Sequence, residues 1–255
     1  MKIRIKFAKY GVMKFIGHLD VMRFFQKAIR RADIDIKYSE GFSPHQIMSF
    51  AAPLGVGIES MGEYLDIEVN SLTSAQEMKT ALNQVMVEGI SVLSVKILPD
   101  TVKNAMASVA AAEYQIAYKD ENASNRASRT FSETLPNKIA DVYKIENLEQ
   151  KLAEFYAKEH IIVEKKTKKG TAEIDLKPHI YKLEMMETAA PVISMLVDAS
   201  SSGNIKPMMV AEAFFESCGI AMPQGACRVT RMETYTEVDR EGGKAFVSLE
   251  AVGRD

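Results

Sequence analysis

Tryptophan is missing from this 255-residue chain, and cysteine nearly so: Cys218 and Cys227 are separated by eight residues and have no companion cluster. Disulfide frameworks, zinc ribbons and iron–sulfur sites are therefore poor fits, and the chain reads as reduced and cytoplasmic. No apolar run approaches the ~18 residues of a membrane span. The opening MKIRIKFAKYG alternates polar and apolar residues, which suits a strand and not the apolar core of a signal peptide. A net charge of −2 gives no global case for a polyanionic partner. Gly55-Val56-Gly57 lacks both a GK[ST] ending and a third glycine at dinucleotide spacing, so it reads as a shaped turn. No Gly-x-Ser-x-Gly elbow is present, and Cys218 ends a helical pattern with no local base, which argues against a nucleophilic hydrolase. No cofactor motif and no metal-ligand spacing remain.

What is present is a chain of 47% hydrophobic and 26% charged residues, enough to bury a core. Its charge is uneven. Residues 1–50 carry ten Lys/Arg against four Asp/Glu, and residues 51–100 carry two against seven. The strongest helical pattern runs from about His18 to Asp33. At 100° per residue, Leu19, Met22, Phe25, Ala28, Ile29 and Ala32 fall on one side, and Asp20, Arg23, Lys27, Arg30 and Arg31 on the other. Gly17 stands as N-cap, with Asp20 in the first turn where the helix dipole favours a carboxylate. Tyr38-Ser39-Glu40-Gly41-Phe42-Ser43-Pro44-His45 follows as a loop with a permissive glycine and a helix-blocking proline.

The order of elements predicts an α+β fold. Strands are expected at Ile3–Phe7, Ile47–Ala51, Tyr64–Val69 and Ile90–Leu98, with a second helix capped by Ser74 and running to about Val87. That order, βαββαβ, is the ferredoxin-like unit. From about Ala110 it recurs more loosely. Strands are expected at Tyr114–Tyr118, Ile161–Lys166, Thr171–Leu176, Val192–Val197 and Val229–Tyr235, and helices near Leu148–Tyr156 and from Pro207, at a favoured N1, to Ser217. Residues 119–138 read as a polar excursion. We therefore expect tandem ferredoxin-like units, residues 1–105 and 106–255, the second with inserted elements.

Candidate sites follow from side-chain chemistry. Arg23, Lys27, Arg30 and Arg31 form a one-sided basic stripe beside Tyr38 and Phe42; cations that neutralise phosphate next to aromatics that stack on bases suit single-stranded nucleic acid. The same stripe also suits a solvated helix face. Lys165, Lys166, Lys168 and Lys169 add a second basic spot at a hairpin, where solubility is the plainer reason, and Arg126, Arg129 and Lys138 could supplement either. His18 and His45, with Asp20 or Asp66, could perform acid–base work or bind a metal if the loop folds back; the plainer reading is a capping histidine and a loop hydrogen-bonder.

The segments Phe15-Ile16-Gly17-His18-Leu19-Asp20-Val21-Met22-Arg23, Arg30-Arg31-Ala32, Tyr38 to His45, Pro53 to Ser60 and Glu63-Tyr64-Leu65-Asp66 resemble the radical-SAM-linked family of bacterial proteins, as do Lys168-Lys169-Gly170 and Glu173 to Pro178. Gly17 stands where that family usually has Ser, and Gln46 where Pro is common. The resemblance implies a radical SAM partner in trans, since this chain has no Cys-x₃-Cys-x₂-Cys. The first stretch also looks like the RNA-processing proteins of CRISPR systems, which are tandem ferredoxin-like folds with a basic cleft; the dense Gly-rich loop of those proteins is missing here. Together these readings lead us to expect an RNA-recognition module serving a radical SAM modifying enzyme. Arg23, Lys27, Arg30, Lys168 and Lys169 would lie on phosphate, and His18, Asp20 and His45 would line the pocket. An RNA-processing enzyme with a His/Asp site, and an adaptor that docks the radical SAM protein without RNA, are the alternatives.

Overall fold

Alternation in Lys2–Lys9 makes the first strand, β1, and its apolar residues Ile3, Ile5 and Phe7 are fully buried. The computed structural model describes residues 1–118, 146–167, 170–188, 191–220, 222, 225–241 and 243–255. The chain is mixed α/β and forms two units. Beside the expected division after residue 105, the first unit comprises Met1–Ala112, takes in Ala199–Ser201, and recovers the chain again at Thr230–Asp255. Among the described residues no helix is long and apolar enough to cross a membrane.

In the first unit β1 lies between β3 (Glu59–Glu68) and β4 (Ile90–Leu98), antiparallel to both, with Ile5 opposite Leu65 and Val95. The short β2 (Met48–Phe50) pairs with the far part of β3, so these four strands take the order β4-β1-β3-β2. The near part of β3 runs parallel to Thr230–Arg231 of β10 (Cys227–Arg240), which turns back into β11 (Gly243–Ser248). Helices α1 (His18–Arg31) and α2 (Ala75–Val85) cover one face, where Ile3, Ile5, Phe25, Ile29, Leu65 and Leu82 form the core. Ser74 caps α2 as expected, its hydroxyl accepting the Glu77 N–H at 3.1 Å.

The other face of these strands is polar yet closed. Arg4, fully buried, donates Nε and Nη2 to the two carboxylate oxygens of Asp66 at 2.8 Å each, and Nη1 to the Leu249 carbonyl at 2.9 Å. The Ala105 N–H adds a 2.6 Å bond to Asp66. Beside it, Lys6 Nζ meets Glu233 at 2.6 Å and Glu250 at 2.8 Å, while the Tyr64 hydroxyl donates to Glu233 at 2.7 Å and Ser94 donates to Glu250. Burial alone would lower the Lys6 ammonium, but its bonds to the two carboxylates outweigh that and hold it above the usual lysine range. Burial, with Glu233 adjoining, pushes the Tyr64 phenol upward. The lid over this layer is α3 (Ala105–Ser108) and a 3-10 turn at Leu249–Val252.

Gly62 shows how closely β3 meets β10. A Cβ there would sit 2.6 Å from Glu233 Cα and 3.0 Å from the Met232 carbonyl, both backbone atoms that cannot swing away. Gly62→Ala is expected to destabilise the first unit by about 1–3 kcal/mol, read as a lower midpoint in denaturant unfolding. A midpoint unchanged from wild type would show that the two strands separate freely there.

The second unit comprises Glu113–Asp198 and Ser202–Val229. Its elements are β5 (Ala111–Tyr118), α4 (Leu148–Tyr156), the hairpin β6 (Ile162–Thr167) and β7 (Gly170–Asp175), β8 (Ile180–Met186), β9 (Val192–Asp198) and α5 (Pro207–Ser217), which opens on its proline as expected. The hairpin is a separate two-stranded sheet, and β9 lies between β5 and β8. Phe155 of α4 packs edge-on against Phe214 of α5 at 5.6 Å, and Ile193 and Met195 of β9 are buried in the same unit. At the hairpin base, a hydrogen bond from His160, followed by the Ile161 N–H, lowers the Asp175 carboxyl to about 2.

Three expectations are corrected. A strand over Ile180–Met186 is present where none was expected, because a register shift between Ile180 and Lys182 breaks the period-2 pattern. β3 begins at Glu59 and not Tyr64: Glu59 and Glu63, which look like loop residues, are paired with Lys14 and Arg231. α1 stops at Arg31, and Asp33 takes a left-handed φ of 53°.

Candidate nucleic-acid interface

α1 buries Val21, Phe25, Ala28 and Ile29 and turns the opposite side outward. Leu19, expected on the buried side, is exposed; it lies about 120° from Phe25 on the wheel, whereas Val21 lies about 40° away. Arg23, Lys27 and Arg30 fall within about 60° of each other on the outer side, all exposed. Asp20, the one carboxylate among them, is 3.5 Å from Arg23 and well exposed, so it screens the stripe only weakly. Arg31 turns away, donating to the Val85 carbonyl at 3.3 Å.

The loop after α1 is pinned at its neck. Tyr38 and Gln46 form a bridge, the Ser39 N–H donates to the His45 carbonyl at 2.8 Å, and the His45 N–H returns a bond to the Ser39 hydroxyl at 3.1 Å. His45 Nδ1 shares a 2.8 Å hydrogen bond with the same hydroxyl. Gly41 turns the tip with a φ of 106°, and Phe42 beside it is fully exposed. Tyr38 is also exposed, at the neck.

Loop and helix share one hydrogen-bond acceptor. The Gln26 carbonyl accepts from Arg30 Nε at 3.3 Å and from the buried Gln46 Nε2 at 3.3 Å. This fixes the cationic stripe beside the segment that carries Tyr38 and Phe42. No repeat or motif in the sequence pointed to Gln46 as the joint; its burial at a loop position is the signal, and it appears only in three dimensions.

The remaining residues separate. His18 starts α1 and stands edge-on to Phe50 at 5.1 Å, while His45 is engaged with Ser39. Asp66 alternates onto the opposite face of β3 from the α1 side and is committed to Arg4. Among the described residues no group of three or more His, Cys, Asp or Glu could hold a metal. Instead His18 shares a narrow recess with Lys9 and Glu63, bounded by Phe50, Pro53 and Leu54. Glu63 accepts from Arg231 Nη1 at 2.9 Å. Lys9 and Arg231 belong to no recognisable motif. Lys168 and Lys169 lie outside the described residues, as do Arg126, Arg129 and Lys138.

A family model described as "Uncharacterized protein conserved in bacteria (DUF2344)" matches residues 2–207. No curated protein matches the chain. Among solved structures, a chain of "Crystal Structure of a Cbf5-Nop10-Gar1 Complex" is similar with a TM-score of 0.44 and 11% identity, over 91% of this chain and 48% of that one. This chain thus spans about half the length of that neighbour. The encapsulated DyP-type peroxidase from Mycobacterium smegmatis gives a TM-score of 0.21 at 11% identity, over 97% and 92%.

Proposed function

We propose, for a chain that belongs to this conserved bacterial family, that it is an RNA-recognition module whose contact surface is the outer side of α1 and the adjoining loop 37–47. The observation that carries the reading is the shared Gln26 carbonyl, which sets Arg30 beside the loop of Phe42. A cation row neutralises successive phosphates, and an exposed ring gives a base a face to stack on. A merely solvated helix would not explain a phenylalanine standing fully in water at the tip of a pinned loop. RNA, over DNA, and a radical SAM enzyme on a separate chain that would act on it are inferred from the resemblance of residues 15–66 to the radical-SAM-linked family.

The tandem ferredoxin-like reading of the fold fits this role. The order β4-β1-β3-β2 with two helices on one face supports it for the first unit. In the second, β5-α4-β8-β9-α5 with β9 between its neighbours supports it, the β6–β7 hairpin being the insertion.

The test is fluorescence anisotropy with labelled single-stranded RNA, and DNA of the same sequence, across a salt series. Wild type is expected to bind RNA with log K falling linearly in log salt. Arg23→Glu with Arg30→Glu should weaken binding at least about tenfold and flatten the slope by about 0.7 for each phosphate that is no longer neutralised. Phe42→Ala should cost about 1–3 kcal/mol with little change in slope. Salt-independent binding, or a charge-reversed variant that binds like wild type, would overturn the proposal.

A further inference from the structure

One edge of the small sheet in the second unit is open. That sheet has two strands, β6 and β7, so among the described residues no strand lies on the far side of β6. The Leu176 N–H donates to the Ile161 carbonyl at 2.8 Å, which makes these two a hydrogen-bonded pair across the hairpin. Bonded and non-bonded pairs alternate along antiparallel strands. Ile162 and Glu164, opposite Asp175 and Glu173, therefore hold non-bonded positions, and their N–H and C=O groups point away from β7. Lysine is a usual guard on such an edge. Lysines stand at positions 165 and 166, but Ile161-Ile162-Val163-Glu164 before them has none, and Ile162 is 55% exposed.

This edge borders a groove of about 540 Å³ that α5 lines as well. Residues 161–164 all line it; side chains alternate between the two faces of a strand, so four in succession mean that the edge itself faces the groove. From α5 come Met209, Glu212, Ala213 and Glu216, a single stripe at i, i+3, i+4 and i+7. The charge of the lining is one-sided. Glu164, Glu212 and Glu216 are all exposed, and none has an ion-pair partner among the described residues. Against them stands Lys158, 5.3 Å over the Phe155 ring, while His160 is engaged with Asp175. We propose that the groove docks an extended, basic segment of a partner protein. The segment adds to β6 as a third strand and sets its Lys or Arg side chains against Glu164, Glu212 and Glu216. Backbone bonds to Ile162 and Glu164 supply the hold, and the carboxylates select the partner. Those carboxylates repel a phosphate backbone, so this site is independent of the RNA reading and survives its failure.

Two readouts on the full chain test this, with a seven-residue probe peptide, Thr-Lys-Val-Lys-Val-Lys-Thr, and its counterpart with glutamate for lysine. The first readout is affinity by fluorescence anisotropy at low salt, and the second is amide hydrogen exchange resolved by residue. The lysine peptide is expected to bind at least about tenfold more tightly than the glutamate one. It should slow exchange at Ile162 and Glu164 at least about tenfold, and change Val163, already bonded to β7, very little. Glu212→Lys with Glu216→Lys, both on exposed positions, should weaken binding at least about tenfold. Glu164→Gln should cost about threefold. Glu164→Pro should abolish binding, because it removes an outward N–H at an edge position where proline is tolerated; an unchanged unfolding midpoint shows that each variant is folded. Equal affinity for both peptides, or no binding of either, would overturn the proposal. So would binding that leaves both amides unprotected and tolerates the proline, since that is a charge contact without a strand. If both amides are already protected in the chain alone and its mass is that of a dimer, a second copy holds the edge and the proposal falls.

Discussion

Asp66→Ala is expected to lower the stability of the first unit by about 3–5 kcal/mol. The loss comes less from the attraction removed than from what is left behind. Arg4 is fully buried and presents two of its nitrogens to Asp66. Without the carboxylate, the guanidinium keeps the Leu249 and Lys103 carbonyls but loses its counter-charge at a position with no exposed surface. The Ala105 N–H loses its acceptor as well, which loosens α3 over the strands. Replacing both partners together, Arg4→Met with Asp66→Leu, should recover most of the loss, because a dry apolar pair carries no uncompensated charge. Denaturant midpoints for the single and double variants check this. A single variant within about 1 kcal/mol of wild type would mean that water reaches Arg4.

Phe25→Ala is the second large effect, also expected at about 3–5 kcal/mol. Phe25 has no exposed surface, and its ring lies 4.7 Å from Phe7, 5.7 Å from Phe24 and 6.0 Å from Phe50. Truncation opens a cavity between α1 and β1 that neighbouring rings, stiff and already packed together, fill poorly. The contrast within one helix is the informative part. Arg23 and Arg30 lie on the far side of α1, away from the core, so reversing their charge should leave the unfolding midpoint within about 0.5 kcal/mol of wild type. The proposed contact surface and the folding core thus lie on opposite sides of the same fourteen residues. If Phe25→Ala costs under about 1 kcal/mol, α1 is not the keystone of this core.

Much of α1 was legible because one period of 3.6 carries both messages: apolar residues gather on one side and cations on the other. Ser74 and Pro207 were legible because capping chemistry is local, a matter of one residue and its next few neighbours. The Lys9–Glu63–Arg231 cluster was not. Glu63 and Arg231 are 168 positions apart and meet through β3 and β10, a parallel pairing that no turn announces. Arg4 and Asp66 looked like the polar half of an alternation, yet both are buried, since alternation separates two faces without saying which of them meets water. Asp66 therefore looked available for a histidine site, while in three dimensions it already has a partner. His18 was picked out by its neighbourhood, and its neighbours proved to be different ones.

The bond from Arg4 to Leu249 has a further consequence for how the protein is made. It joins residues 245 positions apart. At about 5–20 residues per second, a ribosome needs roughly 8–30 seconds after β4 has emerged before it delivers the segment that closes this layer. Through that interval the nascent β1 and β3 hold a half-finished sheet, with one face of ionic groups wet and open strand edges beside it. Pairings this distant also slow folding, because the intervening chain must be closed into a loop first. Chaperones that cover nascent chains matter most in such a window. A strand translated early is completed late.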